Sequence, residues 1–252
     1  MKIEFSCPFE GILKDVDTHP YPAKKNVPEW FKKVNPHSVA VPNIKGCVPV
    51  RDSITAGYIL PLIQDMFIRY GCDYKGEKMF GEESFGISFG QNHNPTFDRD
   101  QEALYINLNE QQHPAHQVGG DGSFYTKKQN MGSICKILNP WIIKTPPGYS
   151  CLFIPPMHRE FDKFFILPAI VDTDTFHRTV NFPFIMNKNY IHSKFVVEKG
   201  TPVVQIIPFK RDDWNMSIKK ADKYKIKADD LKFFSKLIHR YKNFNWIKKI
   251  WN

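Results

Sequence analysis

Two sets of residues in this chain have the types and spacing to do chemistry. The first is His93, His113, His116 and Asp121, gathered around the loop His113-Pro-Ala-His116-Gln-Val-Gly-Gly-Asp121. Imidazole and carboxylate are common metal ligands, and two histidines three apart supply half of such a site. Pro114 excludes the regular helix that would aim both rings one way, and no second pair follows at a familiar spacing. These residues read as a solvated insertion loop, and no metal site is expected. The second set is the carboxylate pair Asp172 and Asp174, with His158 and Arg159 upstream and His177 and Arg178 just downstream. A positioned carboxylate accepts protons and hydrogen bonds while staying ionised near neutrality. The same side chains can instead hold a turn, because Asx groups satisfy local backbone donors. On residue type alone both readings stand.

Strands must position these residues. From Trp141 to Phe209, short runs rich in Ile, Val and Phe are punctuated by Pro-Pro-Gly-Tyr, Asp-Thr-Asp-Thr, Asn-Lys-Asn and Glu-Lys-Gly-Thr. That alternation predicts strands over Ser150 to Ile154, Phe164 to Val171, a run ending at Met186, and a last strand after Gly200. Upstream, Cys47-Val-Pro-Val, Ile54 to Ile63 and Met66 to Tyr70 also read as strands, with Gly57 marking a bulge or a close backbone approach. Gly71 to Gly90 fits a twisted hairpin better than a phosphate loop, and no GxxxxGK[ST] occurs. Near the start, Pro28 followed by Glu29, Trp30, Phe31, Lys32 and Lys33 predicts one helical turn with its aromatics packed on the body.

The chain has 252 residues, enough for one β domain with appendages. Its cysteines, Cys7, Cys47, Cys72, Cys135 and Cys151, are odd in number and without a CxxC pair, which argues for reduced thiols and a cytoplasmic setting. The first residues build no apolar signal core, and the longest apolar stretch, Phe164 to Val171, contains Pro168 and is too short to span a bilayer. Net charge is +9, yet Lys219 to Asn252 holds eleven Lys and Arg against three Asp, so the body carries only +1. A nucleic-acid reading of the whole surface loses its force. Within that tail Leu231, Phe234, Ile238, Tyr241, Phe244, Ile247 and Trp251 recur at helical spacing. They predict an amphipathic basic helix over 229–251, with Asp229 and Asp230 placed for capping. Such a face can dock on protein, lie on an anionic membrane surface or track a phosphate backbone, and docking is the favoured reading.

The order of elements in the central stretch resembles the dUTPase and dCTP-deaminase superfamily. The matching residues are Pro147, Gly148 and Tyr149; Ile170, Val171, Asp172 and Asp174; and Lys199, Gly200 and Gln205. A fainter match, Ala56-Gly57-Tyr58-Ile59-Leu60, has Ile59 where the family motif has its aspartate. The chain also resembles uncharacterised proteins of phages and bacteria. The resemblance implies a homotrimer with sites between subunits, and it gives Asp172 the place of the carboxylate that orients the deoxyribose and the attacking water. Tyr149, Asp174 and Gln205 stand at other motif positions, and Phe176 can offer the aromatic face that the family's tyrosine, here Thr175, presents to the sugar. The phosphate loop departs from the pattern. It reads Pro155-Pro156-Met157-His158-Arg159, which removes two N–H donors and leaves His158 and Arg159 as a substitute clamp. The family's Gly-rich C-terminal arm is missing too.

These readings combine into an all-β, dUTPase-like compact β-barrel or β-clip core with a C-terminal amphipathic helix. The expected divisions are an N-terminal wrap over 1–46, a β domain over 47–210 with an irregular insertion at about 71–134, and a basic segment over 211–252. The lost phosphate loop favours the turn reading of the aspartates. The expected function is a non-catalytic trimeric binding or assembly protein, in the host cytoplasm if phage-encoded. The alternatives are a Mg²⁺-dependent nucleotide pyrophosphohydrolase and a structural component of a virus particle.

Overall fold

The computed structural model describes residues 1–38, 43–70, 85–89, 131–190, 192–234 and 240–252. The histidine loop with His93, His113, His116 and Asp121 lies outside them, as does most of the expected insertion.

The N-terminal forty residues are woven into the body. Strand β1 (Glu4–Ser6) is followed by a short helix α1 (Glu10–Lys14), strand β2 (Tyr21–Pro22) and helix α2 (Glu29–Lys33). The expected turn of helix after Pro28 is α2, and it buries Phe31. Trp30 is half-buried and donates from Nε1 to the His158 carbonyl at 2.7 Å.

The run beginning at Cys47 departs from the strand expected there: Val48–Thr55 is a helix, α3, with Pro49 in its first turn. Proline is tolerated there because the first helical N–H groups have no intrahelical acceptor. Two hydroxyls bond back along the helix, Ser53 Oγ to Val50 O at 2.7 Å and Thr55 Oγ1 to Arg51 O at 2.9 Å. Ile54 and Val48 face the core. Gly57 then turns the chain at φ 65°, and a Cβ there would strike the Ile206 carbonyl. The predicted close backbone approach at Gly57 is present.

The strands that follow are β3 (Tyr58–Pro61), β4 (Met66–Tyr70), β5 (Phe85–Phe89), β6 (Met131–Ile137), β7 (Ile142–Lys144) and β8 (Tyr149–Ile154). After them come β9 (Phe164–Ile166), β10 (Ala169–Val171), β11 (Phe182–Asn187), β12 (Ser193–Val197) and β13 (Pro202–Lys210). Among the described residues these strands form four antiparallel sheets, with orders β1-β7, β10-β8-β13-β3-β2, β6-β11-β9 and β12-β4-β5. Among the described residues none closes into a barrel, so the architecture is largely β and made of open sheets. The single strand expected over Phe164 to Val171 is two. Pro168 lacks the N–H a continuous ladder needs, and the chain changes partner there from β11 to β8.

The core lies between the five-stranded sheet and the sheet of β6, β11 and β9. Phe153 of β8 meets Phe182 of β11 at 5.6 Å between ring centroids, and Phe164 and Phe184 meet at 4.6 Å. Met66, Ile68, Met186, Val204 and Ile206 belong to the same cluster. Each such side chain contributes about 1.5–3 kcal/mol by leaving water.

After β13 the chain runs exposed to helix α4 (Lys223–Phe234) and, past residues outside the description, helix α5 (Arg240–Phe244). The helix begins six residues before the expected 229. Asp222 Oδ1 accepts from the backbone of Tyr224 at 2.9 Å and of Lys225 at 3.3 Å, the geometry of an N-cap. Asp229 and Asp230 therefore lie inside α4. Residues 245–252 are not helical; they return to α3, where Trp246 Nε1 donates to Asp52 at 2.7 Å. No helix among the described residues is long and apolar enough to cross a membrane.

Candidate functional site

Asp172 and Asp174 sit at the turn that leaves β10. Antiparallel pairing sets Val171 opposite Cys151, so the next residue, Asp172, falls beside Ser150. The Ser150 hydroxyl donates to Asp172 Oδ1 at 2.6 Å. Between the two aspartates Thr173 points inward and is fully buried, its Oγ1 2.7 Å from Thr145 Oγ1. Phe176 N and Thr175 N both donate to the Asp172 carbonyl, closing the turn. Asp174 reaches across to the Pro-Gly-Tyr turn, where it accepts from Gly148 N at 2.8 Å. Gly148 has φ 82°, a left-handed conformation that costs glycine little and exposes its N–H to the carboxylate.

Arg211 completes this cluster. It follows β13 directly, and Lys210 pairs with Tyr149, so the register delivers the guanidinium to the Asp172–Asp174 turn. Its backbone N–H donates to Gly148 O at 2.8 Å. Its Nη1 lies 2.9 Å from Ser150 Oγ, 3.2 Å from Asp172 Oδ1 and 2.9 Å from Asp174 Oδ1, while Nη2 bonds the other Asp174 oxygen. Hydrogen bonding from Arg211 pulls the Asp174 carboxyl down to about 2, with the Gly148 N–H adding to it against the opposing effect of burial. Arg211 is pushed up in return, chiefly by the same hydrogen bond.

Chemically, this is a locked ion-pair network. A carboxylate held near 2 is a weak base, poorly matched to proton abstraction at neutral pH. Asp172 is more open, with 60 % of its side chain exposed, but the oxygen facing the cluster already accepts from Ser150 and Arg211. The Mg²⁺ that the nucleotide-enzyme alternative calls for does not fit here. That ion needs an octahedral shell of oxygens, and a guanidinium occupies the space between the two carboxylates. Among the described residues no group of three or more His, Cys, Asp and Glu side chains can hold a metal.

The remaining candidates gather elsewhere. His158 and Arg159 lie past Ile154, the opposite end of β8, which is five residues and, at roughly 3.3 Å each, ~17 Å along the strand from Tyr149. Within one chain they are not brought to the Asp172 turn. His158 has φ 58° and its Nε2 lies 3.0 Å from Ser53 Oγ. Arg159 is tied to Asn26 through both terminal nitrogens, and burial lowers its pKa. Gln205 is buried and fully bonded. Its Oε1 accepts from Met157 N at 2.8 Å, and its Nε2 donates to Ser53 O at 2.9 Å and Ala56 O at 2.8 Å. That set pins the 155–159 loop and the end of α3 to β13. Phe176 is 41 % exposed beside the turn, while Tyr149 meets Arg211 through its backbone carbonyl.

Arg211 carries no motif, and sequence reasoning passes over it. The only signal is its position one residue after a strand whose register with β8 is not visible without the fold. The same holds for Asp52, which joins Trp246 and Lys249 across nearly two hundred residues. No protein-family model matches the chain, and no characterised protein matches it by sequence.

Proposed function

We propose that this chain is a non-catalytic binding or assembly protein, built on a dUTPase-like β core and acting as a homotrimer. The observation that carries the first part is Arg211: Asp172, the carboxylate that the resemblance would make catalytic, and its neighbour Asp174 are occupied in holding a turn. The placement of the resembling segments supports the core. Tyr58 to Leu60 in β3, Tyr149 in β8, Ile170 and Val171 in β10 and Gln205 in β13 all fall on one five-stranded sheet. Assembly is supported by the edge of that sheet, where β10, among the described residues, pairs only with β8 and Ile170 is 64 % exposed. An open apolar edge strand is a template for pairing with another chain.

The test is thermal stability with Mg²⁺ and each nucleoside and deoxynucleoside triphosphate, with product analysis, and sedimentation velocity for the oligomer. The expected result is no pyrophosphate release from any of them, and a trimeric mass. Mg²⁺-dependent pyrophosphate release that Asp172→Asn abolishes overturns the non-catalytic reading.

A further inference from the structure

One opening on the described surface shares no lining residue with the Asp172 turn. A cavity of about 240 Å³ separates α3 from the returning C-terminal segment, lined by Asp52, Ser53, Thr55, Ala56, Lys249 and Trp251. Its walls are held from both sides. Asp52 Oδ2 accepts from Trp246 Nε1 and from Lys249 Nζ, each at 2.7 Å. Trp251 stands edge-to-face on Tyr58 with centroids 6.3 Å apart, and the Tyr58 hydroxyl donates to Asn252 O at 3.2 Å. Lys24 reaches Asn252 Oδ1 at 2.9 Å, and the Arg51 guanidinium lies 5.4 Å from the Trp246 ring. Of the charged side chains in the lining, Lys249 is paired with Asp52, and two further cations, Lys24 on Asn252 and Arg51 beside Trp246, are held next to the lining segment, so side-chain charge around the opening is in positive excess.

The hydroxyls have a defined sense. Ser53 and Thr55 commit their protons to the Val50 and Arg51 carbonyls. Ser53 therefore accepts from His158 Nε2 at 3.0 Å, and both hydroxyl oxygens present acceptor capacity. Lys249 gives one of its three N–H groups to Asp52 and leaves two, on a side chain that is 48 % exposed.

We propose that this cavity binds a compact aromatic anion, one ring system bearing a single carboxylate or phosphate. The Trp251 indole supplies the stacking surface, the Lys249 ammonium takes the anionic group, and the Ser53 and Thr55 oxygens accept from a ring O–H or N–H. The volume lies below the usual ligand range of about 300–1,000 Å³, which excludes extended cofactors and favours a small ring. This proposal rests on the binding half of the function argued above and moves the ligand away from the Asp172 turn.

The experiment titrates the full chain with 4-hydroxybenzoate, with uridine 5′-monophosphate and with uncharged uridine. Calorimetry measures affinity, and mass spectrometry follows the rate at which Lys249 is reductively methylated. One of the two anions is expected to bind saturably below ~1 mM, to bind at least tenfold tighter than uridine, and to slow Lys249 methylation at least threefold while exposed Lys14 is unaffected. Which anion does so separates a ring carboxylate from a nucleotide source. Trp251→Leu and Lys249→Met should each weaken binding at least tenfold, and Arg211→Met should leave it unchanged. No binding by either anion to 5 mM, or binding that leaves the methylation of Lys249 in the unaltered chain at its free rate, overturns the proposal. Pyrophosphate release from a triphosphate would instead overturn the non-catalytic reading and leave this cavity standing.

Discussion

Asp174 is held ionised by Arg211 and Gly148, and that has a measurable consequence in acid. Its folded pKa of about 2 lies below the ordinary 3.8. The unfolded chain therefore takes up the proton first, so the stabilisation is complete above about pH 4 and is lost as pH falls toward 2. Thermal melts of wild type and Asp174→Asn should differ most at neutral pH, with wild type higher, and converge between pH 4 and pH 2. A constant gap across that range would mean the ion pair contributes nothing. Gln205 makes a second prediction at this scale. Gln205→Leu keeps the volume but strands the Met157 N–H and the Ser53 and Ala56 carbonyls. Leaving such groups unmet costs roughly 2–4 kcal/mol in total, to be read as a lower urea midpoint with an unchanged slope. Gly57→Ala should cost more than about 2 kcal/mol in the same assay, because a Cβ at φ 65° meets the Ile206 carbonyl.

Among the elements, β10 and α4 each leave an apolar face open in the described chain. Strand β10 contributes three residues to the sheet edge, with Ala169 and Ile170 exposed. If that edge is where copies meet, Ile170→Lys should shift the sedimentation profile from trimer to monomer without changing the melting temperature by more than about 2 °C, since lysine on an edge blocks pairing and removes no core contact. An unchanged trimer would place the contact elsewhere. Helix α4 presents Tyr224, Ile226 and Leu231 to solvent, and among the described residues the tail meets its own subunit through 246–252. The apolar spacing that reads as one long helix over 229–251 is divided, among the described residues, between α4, where Leu231 is exposed, α5, where Tyr241 is exposed, and a non-helical segment that returns to α3. That division depends on Asp222 as N-cap and on Asp52 as a distant acceptor for Trp246.

Across the whole molecule, charge and core are separated: the core lies between open β-sheets, and most of the excess positive charge is on the tail. Ending the chain after Ala228 removes Trp246, Lys249 and Trp251 from α3 and Tyr58. We expect a loss of roughly 1–3 kcal/mol, together with earlier elution from a cation exchanger. Retention of full stability would show that the returning segment is not bound in solution. Much of the fold is legible in the sequence because strand and turn signals are local: Gly57, the Pro-Gly turn at Gly148, the strand over Ser150 to Ile154 and the turn at Asp172 follow from residue type and period alone. Local pattern misleads at Val48–Thr55, where valines around Pro49 suit a strand but the buried side of a helix wins, and at Pro168, where one apolar run serves two sheets. The candidate residues were also legible as types, but their partners were not. Whether Asp172 and Asp174 work on a substrate or hold a turn depends on Arg211, thirty-seven residues beyond Asp174. Only the register of β13 on β8 brings that guanidinium to them. Between Tyr149 and Lys210 the sequence by itself determined where strands and turns fall, apart from the break at Pro168, since those preferences act over a few residues. Tertiary structure alone decided which charges meet, because ion pairs and cavities form between elements remote in the chain.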